Sequence, residues 1–383
     1  MRKTSSSLKV VLITGFMPPY FVSTWEALAK SIGSLRIYLS QSMESNRPWE
    51  VYWGTLDVHI QKSIKYINTH RHPQYVDNAH VDIPYDTLFL LRKYRPDIII
   101  SVDYGMRSIM ALIWRSWHRD VKIINYFRVT EHTEEGRGMV RNLIRRWLTP
   151  RADAILVNGS SGERYVLGHG AKLENVFHVT SVVDVSKFLE LPINRHDELA
   201  EKRLLYIGQL IPRKGIEQFL VALTKWARQN PNTCIEVSIV GDGPLAHKLT
   251  SLCDVAINIK LRFVGNVGYE KIYSHFSQNG ILVFPTLGDE WGVVVNEALA
   301  SGLPVLGSLY AQSVVSLISD DETGWTFTPD DESAIYQAID KALNTPVEKL
   351  REMRSNCRKL GSSLTPEHSA NQILRAIEYV VQD

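Results

Sequence analysis

Two acidic residues eight positions apart, Asp289 and Glu297, are the strongest candidates for chemistry in this sequence. They lie in the stretch ILVFPTLGDEWGVVVNEALASGLP, where the apolar run 281–284 predicts a buried strand that a proline ends. The pattern at 293–301, followed by glycine and proline, predicts a helix. Ligands of open parallel sheets bind just beyond the carboxyl ends of strands, so this stretch predicts a ligand site.

The two carboxylates suit different parts of a nucleotide. Backbone N–H groups near Gly292 and the positive end of the helix suit a phosphate. Glu297 lies about one helical turn further on and is placed to accept hydrogen bonds from both hydroxyls of a ribose. Asp289 lies nearer the loop, where a sugar beyond the phosphates would reach. For either carboxylate alone, a surface acid near an ordinary helix cap is the alternative.

Three further loops follow predicted strands in the second half. The segment 207–215, IGQLIPRKG, places Arg213 and Lys214 at a helix start, which suits a diphosphate clamp or, alternatively, an ordinary solvated turn. The segment 240–245, VGDGPL, lacks the third glycine of a dinucleotide fingerprint, which disfavours NAD binding and leaves a plain strand-to-helix turn as the alternative. The segment 263–265, FVG, ends the next strand.

In this order, the four motifs resemble the donor site of glycosyltransferase family 4, which comprises retaining enzymes of the GT-B fold. The family pattern is Glu, seven residues, Glu, with an aromatic–Gly pair inside and Glu-Ala at its end. Trp291-Gly292 and Glu297-Ala298 match this pattern. Asp289 stands at the first acidic position, and Glu290 is one residue out of register. In the phosphate loop, Gln209 stands where the family usually has arginine.

The resemblance implies a donor site for a nucleotide sugar, with no metal ion and no cofactor. Lys214 would stabilise the charge that develops on the leaving diphosphate, Asp289 would orient the donor sugar, and Glu297 would hold the ribose. The complete implied donor site comprises Gly208, Gln209, Arg213, Lys214, Gly241, Gly243, Val264, Gly265, Asp289, Glu290, Trp291, Gly292, Val293 and Glu297.

The first half is expected to bind the acceptor. Tyr20 lies in the loop after the first predicted strand, and Asp103, Arg128 and Glu131 follow later strands. His132 is the third catalytic candidate, because the family commonly places a histidine of this region close to the donor sugar. A surface loop histidine is the alternative.

Alternation of short apolar runs with helical patterns predicts an α/β protein with parallel sheets. The resemblance implies a GT-B arrangement of two doubly wound Rossmann-like domains facing across a cleft. We expect an acceptor-binding domain at 1–196 and a nucleotide-sugar-binding domain at 197–364. A final helix at 365–383 is expected to return to the first domain.

The charge is unevenly distributed. Residues 1–196 contain 26 Lys and Arg against 18 Asp and Glu, a net charge of +8, and the remainder carries −6. The segment 139–148 has an apolar face flanked by Arg141, Arg145 and Arg146. A helix of this kind either lies on an anionic membrane or packs its apolar face in the core with a solvated basic side.

The remaining sequence features favour a cytoplasmic protein. No apolar run is long enough for a membrane span, and the basic N-terminus followed by a short apolar run predicts a first strand better than a signal peptide. Cys234, Cys253 and Cys357 have no metal-type or disulfide spacing.

The expected function is retaining transfer of a sugar from a nucleotide diphosphate, UDP in particular, to an acceptor hydroxyl. The acceptor would be a saccharide or lipid-linked molecule, at an anionic inner membrane face, in glycolipid, lipopolysaccharide or exopolysaccharide assembly. No nucleic acid partner is expected. The alternatives are a nucleotide-sugar epimerase of the same fold and a nucleotide-binding partner subunit without turnover.

Overall fold

The chain forms two compact units in a computed structural model that describes residues 5–43, 50–194, 198–252 and 258–382. Unit 1 comprises Met1–Asp184 and Thr365–Asp383, and unit 2 comprises Val185–Leu364. Each unit contains a parallel sheet with helices. The prediction of two doubly wound α/β domains is confirmed.

Unit 1 contains nine strands and six helices among the residues that the structure describes. The strands are β1 (Lys9–Thr14), β2 (Ser34–Leu39), β3 (Asp57–Ile60), β4 (Ser63–Arg71), β5 (Val76–Pro84), β6 (Ile98–Val102), β7 (Lys122–Phe127), β8 (Ala154–Val157) and β9 (Val176–His178). The helices are α1 (Val22–Ala29), α2 (Thr87–Tyr94), α3 (Met106–Trp117), α4 (Met139–Leu148), α5 (Ser160–Gly168) and, at the end of the chain, α15 (Pro366–Gln382).

Seven of these strands form one parallel sheet in the order β3-β2-β1-β6-β7-β8-β9. Strands β6 and β8 are buried along their whole length, as continuous apolar runs covered on both faces require. The strand order reverses between β1 and β6, so the ligand-binding edge of unit 1 is expected beyond these two strands.

Strands β4 and β5 form a separate antiparallel hairpin. It interrupts the alternation of strands and helices that the sequence predicts for this half. Ile64, Tyr66, Ile67 and Val76 of the hairpin are exposed.

The described residues of unit 2 form six strands, in the parallel order β12-β11-β10-β13-β14-β15. Its strands are β10 (Leu204–Ile207), β11 (Ile235–Val240), β12 (Ile259–Gly265), β13 (Ile281–Phe284), β14 (Val305–Ser308) and β15 (Gly324–Phe327). Its helices are α6 (Ser186–Leu189), α7 (Glu198–Lys202), α8 (Ile216–Gln229), α9 (Ala246–Leu252), α10 (Tyr269–Ser277), α11 (Val294–Ala300), α12 (Gln312–Leu317), α13 (Glu332–Asn344) and α14 (Val347–Ser363). Here the order reverses between β10 and β13, so the predicted ligand edge lies at their carboxyl ends.

The compact units part at 184/185, earlier in the chain than the 196/197 boundary expected from the sequence. Helix α6 belongs to unit 2, because Phe188 packs edge-to-face on Phe276. Arg358 of α14 also donates hydrogen bonds to the carbonyl oxygens of Leu189 and Leu191. Residues 195–197, which flank the expected boundary, lie outside the described residues.

The last helix, α15, packs in unit 1. Its buried side chains, including Ile373 and Ile377, join the core that Leu12, Trp25 and Leu28 form between the sheet and α1. The chain therefore leaves unit 1 after Asp184 and re-enters it at Thr365.

Helix α4 turns its apolar side towards solvent, which is the reverse of one of the two orientations expected from the sequence. Met139, Val140 and Leu143 are exposed, whereas Arg145 is buried. The alternative with a core-facing apolar side and a solvated basic side is therefore wrong.

Among the described residues, no helix is long and apolar enough to cross a membrane. Cys234 is exposed and Cys357 is buried, both as free thiols, and Cys253 lies outside the described residues.

Candidate functional site

Two basic residues and one acidic residue meet at the strand reversal of unit 2. Lys214 follows β10, Asp289 follows β13, and the Lys214 Nζ lies 2.5 Å from the Asp289 Oδ2. The Arg213 Nη1 lies 3.9 Å from the same oxygen. The predicted phosphate loop and the predicted donor-sugar carboxylate are therefore adjacent in space.

The two loops that carry these residues are hydrogen-bonded to each other. The Leu287 N–H donates to the Arg213 carbonyl oxygen at 2.8 Å, and the Arg213 Nη1 donates to the Gly288 carbonyl oxygen at 3.1 Å. Gly215 has φ +65°, and a Cβ there would lie 2.0 Å from the Pro285 carbonyl oxygen. Only glycine permits this close approach of the loops, which fixes the position of Lys214.

Asp289 is ionised despite its burial. Burial alone would raise the pKa of its carboxyl group, but the neighbouring Lys214 and then Arg213 outweigh this effect and hold the pKa below its ordinary value. The three residues thus form a charged group with one net positive charge, at the edge of the sheet where a diphosphate is expected.

The predicted glycine loops converge beyond β10, β11 and β12. The Gly241 N–H donates to the Gly265 carbonyl oxygen at 2.9 Å. A Cβ at Gly241 would lie 1.9 Å from the Gly208 carbonyl oxygen, and one at Gly243 would lie 2.5 Å from that of Leu210. These glycines allow the three loops to pack backbone against backbone at one edge of the sheet.

Other predicted donor residues differ in their access to solvent. Gln209 and Glu290 are exposed, and Val264 is partly exposed. Gln209 also accepts a hydrogen bond at its carbonyl oxygen from the Tyr206 hydroxyl, at 2.8 Å. The side chain of Gln209 therefore remains available to a ligand.

Glu297 lies in the interior of unit 2. Glu297 is only 3% exposed, and burial raises the pKa of its carboxyl group to about 8, although the nearby Tyr269 hydroxyl opposes that rise. Tyr269 begins α10, shortly after Gly265. The carboxyl group predicted to hold a ribose is thus mostly protonated at neutral pH and is adjacent to the start of α10.

Trp291 also lies in the interior. Its indole Nε1 donates to the Asn296 Oδ1 at 2.9 Å, and the Ser313 Oγ donates to the Trp291 carbonyl oxygen at 2.5 Å. Its side chain supports the turn into α11, and the partly exposed Gly292 and Val293 follow it. Sequence reasoning placed Trp291 in the donor site without indicating this internal hydrogen bond.

Gly292→Ala should destabilise unit 2 and weaken donor binding. Gly292 has φ +96°, and a Cβ there would lie 2.4 Å from the Phe284 ring. We expect a loss of about 1–3 kcal/mol in the free energy of unfolding, measured by chemical denaturation. Gly268→Ala is the matched control, because Gly268 has a negative φ and open space around its Cβ position. Equal stability of the two variants would contradict the expectation that an alanine at position 292 is strained.

In unit 1, Asp103 and Arg128 form a two-pronged ion pair beyond β6 and β7. The Arg128 Nη2 donates to the Asp103 Oδ2 at 2.9 Å, and the Arg128 Nε donates to Oδ1 at 3.3 Å. Asp103 has φ +64°, which is unusual for a residue other than glycine. Such backbone strain clusters at functional sites, and this one lies at the ligand edge of the sheet.

Arg107, which sequence reasoning missed, joins this ion pair. Its Nη2 lies 3.9 Å from the Asp103 Oδ2, and its Nη1 donates to the Ser40 Oγ at 3.3 Å. Burial lowers the pKa of Arg107, whereas Asp103 raises it. Its spacing of four from Asp103 across the start of α3 was the available signal.

A cavity lies on the α1 side of the same sheet edge. Arg128, Tyr126 and Ser181 contribute polar groups to it, and Phe16 and Trp25 are among its apolar walls. Arg128 therefore links the Asp103 ion pair to this cavity.

The other predicted residues of unit 1 lie in nearby loops. Tyr20 packs edge-to-face on Phe21, which lines the cavity. The Glu131 carboxylate accepts a hydrogen bond from the Arg164 Nε at 2.9 Å. The His132 carbonyl oxygen lies 2.8 Å from a ring nitrogen of His72.

Among the described residues, no group of three or more His, Cys, Asp or Glu is arranged to hold a metal ion.

Comparison with known proteins supports the same class of site. Residues 193–360 match the family described as Glycosyl transferases group 1. A glycogen synthase of Mycobacterium tuberculosis is 23% identical over 290 residues, which is 71% of this chain and 66% of that protein. The Xenopus laevis protein named GDP-Man:Man(3)GlcNAc(2)-PP-Dol alpha-1,2-mannosyltransferase is 25% identical over 59% of this chain and 48% of its own length. The matched segments thus span between about half and two thirds of these two relatives.

Solved structures cover nearly the whole chain. Anabaena Alr3699/HepE, in complex with UDP, superposes with a TM-score of 0.70 at 14% identity and covers 97% of this chain and all of its own. The lipopolysaccharide outer core galactosyltransferase WaaB, in its apo form, gives a TM-score of 0.73 at 11% identity, over 97% of this chain and 99% of its own.

These comparisons indicate the class of protein to which the chain is similar. The chain has the GT-B fold, as predicted, and residues 193–360 of its second unit match the group 1 glycosyltransferase family. Together they support a glycosyltransferase.

Proposed function

We propose that this protein is a retaining hexosyltransferase of family 4 that moves a sugar from a UDP-sugar to an acceptor hydroxyl. The observation that carries the proposal is the group formed by Lys214, Arg213 and Asp289 at the strand reversal of unit 2. It lies within the segment that matches the glycosyltransferase family. The UDP complex of the structurally similar Alr3699/HepE supports UDP as the nucleotide.

Lys214 can contact a diphosphate without losing its ion pair. An ammonium group has three hydrogen-bond donors, and Asp289 uses one of them in this structure. In the proposed complex, Lys214 would also donate to the leaving phosphate, where negative charge grows in the transition state. Asp289 would then keep Lys214 in place while its own carboxylate orients the donor sugar.

The acceptor would bind in unit 1. Asp103 and Arg128 lie beyond neighbouring strands, next to a cavity with apolar walls and polar groups. In the mechanism favoured for the retaining enzymes that this chain resembles, the leaving diphosphate helps to deprotonate the acceptor hydroxyl. His132 is the third catalytic candidate, after Lys214 and Asp289, and would lie near the reacting groups. We extend the proposal to a saccharide or lipid-linked acceptor in glycolipid, lipopolysaccharide or exopolysaccharide assembly, handled at the inner face of the membrane.

A panel of nucleotide sugars tests this proposal. We expect release of nucleoside diphosphate to be fastest with UDP-sugars and to increase when acceptors are added, with the anomeric configuration retained in the product. Preference for another nucleotide would overturn UDP as the donor. Interconversion of sugars without an acceptor would instead indicate an epimerase, and tight nucleotide binding with no turnover across the panel would indicate a binding subunit.

A further inference from the structure

Helix α4 exposes five of its six large apolar side chains to solvent, and only Leu148 is buried. Val140 is 72% exposed and Leu143 is 61% exposed, and Met139, Ile144 and Trp147 are exposed with them. Arg145, on the opposite side, is only 6% exposed. A surface helix of a soluble domain normally has the reverse arrangement, with the apolar stripe buried and the charged side chains outside.

A buried ion pair holds the helix in this orientation. Arg145 pairs with Glu134, and its guanidinium lies 5.1 Å from the ring centre of Tyr104 and 5.6 Å from that of Tyr165. The side chains of Arg145 and Glu134 are both less than a tenth exposed. Because separation of a buried pair is costly, the helix is not free to turn its apolar side inwards.

Basic residues surround the exposed apolar side. Residues 137–151 contain five arginines and no Asp or Glu. Arg146 is exposed, and the Arg151 guanidinium lies 4.7 Å from the ring centre of Trp147. Arg141 is partly exposed, and Tyr66 of β4 is exposed. The surface is therefore an apolar patch with a cationic rim.

We propose that this α4 surface docks unit 1 on an anionic lipid bilayer. Exposed apolar clusters of this kind mark interaction sites, and a bilayer interface accepts both the apolar side chains and the arginines. A second copy of the chain fits less well, because a two-fold contact would place the arginine rims of the two copies against each other. With ten residues, α4 is too short to span a bilayer and would lie in its surface.

The docked helix is connected to the acceptor side of the proposed enzyme. Glu134 belongs to the same loop as Glu131 and His132, and Tyr104 directly follows Asp103. Docking would therefore hold these loops close to the headgroups. Resting on the proposed function, this favours an acceptor that is carried by a lipid over a freely diffusing saccharide.

Vesicle sedimentation with the full chain tests the docking surface. We expect the wild-type protein to bind vesicles of phosphatidylcholine and phosphatidylglycerol at low salt, and to remain in the supernatant with phosphatidylcholine alone. Leu143→Ser should weaken binding about tenfold or more, because the leucine would be buried in the interface. Arg146→Glu should weaken vesicle binding about twentyfold, because the substitution changes the charge of the surface by two. This effect should be smaller at high salt, because salt screens the charges.

Matched controls lie elsewhere in unit 1. Leu173 is 64% exposed, and Arg92 is exposed on α2. Leu173→Ser and Arg92→Glu should leave vesicle binding unchanged within about twofold. Equal effects of these controls and of the α4 variants would overturn the location of the surface.

Other outcomes separate this inference from the proposed function. A wild-type protein that stays in the supernatant with anionic vesicles overturns docking, even if it transfers sugar. Vesicle binding by a protein that is inactive across the nucleotide-sugar panel supports docking and overturns the proposed function. Self-association in sedimentation velocity runs without vesicles, abolished by Leu143→Ser, would assign the surface to a second copy and overturn the bilayer.

Discussion

Lys214→Ala is expected to reduce the turnover of sugar transfer by about 10²–10³-fold, as for loss of one preorganised group that stabilises transition-state charge. The Lys214 side chain is mostly buried between two hydrogen-bonded loops, with its Nζ against Asp289. A cation held in this way needs little rearrangement when charge grows on the leaving diphosphate. Donor affinity should fall less than turnover, because the ground-state diphosphate would also interact with backbone N–H groups and Arg213 in the proposed complex.

The ion pair complicates this variant, and a double-mutant cycle resolves the complication. Without Lys214, the Asp289 carboxylate keeps the Arg213 Nη1 at 3.9 Å and a backbone hydrogen bond from Trp291 but loses its nearest positive charge, so stability is also expected to fall. Asp289→Asn and the double variant separate the two effects. If Lys214 acts only by orienting Asp289, the two single variants and the double variant should have the same turnover.

Lys225→Ala is the matched control for Lys214→Ala. Lys225 is exposed on α8 and pairs with Glu332, so its loss should change neither turnover nor donor affinity. Equal losses of binding and transition-state free energy in Lys214→Ala would make Lys214 an ordinary binding residue. Turnover unchanged in a folded variant would remove it from the site.

The parts of the fold that the sequence predicted well are the buried ones. Strand β13 has the predicted bounds, 281–284, because this short apolar run is covered on both faces. The β4–β5 hairpin was not predicted, because its exposed strands mix apolar and polar residues without a regular period.

Amphipathic periodicity alone could not give the orientation of α4. A pattern of 3.6 residues shows that two faces differ, but it does not show which face is buried. In this structure the decision depends on Glu134, a loop residue that pairs with Arg145, and on the rings of Tyr104 and Tyr165. These contacts are long-range in sequence and have no local signal.

The candidate site, too, could be predicted from the sequence only in part. The proximity of Lys214 and Asp289 follows from two motifs at the ends of strands that become neighbours, so their convergence was predictable. The burial of Glu297 and its proximity to Tyr269 were not predictable, because α10 and α11 are separate elements that only the packed unit brings together. The sequence therefore predicted the position of Glu297 but not its protonation state.

Glu297→Gln should make the nucleotide-free protein more stable at alkaline pH. Burial raises the pKa of Glu297 from 4.5 to about 8. Between these values the folded state holds a proton that the unfolded state has lost, so the free energy of unfolding falls as the pH rises. Glutamine removes this dependence. We expect a gain of about 2–4 kcal/mol at pH 8.5 and almost none at pH 4.5, measured by urea denaturation.

The same proton should couple to donor binding. If Glu297 holds the ribose hydroxyls, its carboxylate is the better acceptor, so binding favours the ionised form and releases a proton. Wild-type affinity for a UDP-sugar should then increase up to about tenfold per pH unit from pH 6 to 8 and level off above pH 8. A UDP-sugar is the suitable probe, because its diphosphate is fully ionised throughout this range.

In Glu297→Gln, the affinity at pH 8 should be about 10–100-fold lower than in the wild type, as for loss of a charged hydrogen bond. Its dependence on pH over the same range should disappear, as calorimetry in buffers of different ionisation enthalpy would show. Glu270→Gln is the matched control, because Glu270 is exposed on α10 and pairs with Lys187. A wild-type affinity that stays constant from pH 6 to 8, together with unchanged affinity in folded Glu297→Gln, would exclude Glu297 from the nucleotide site.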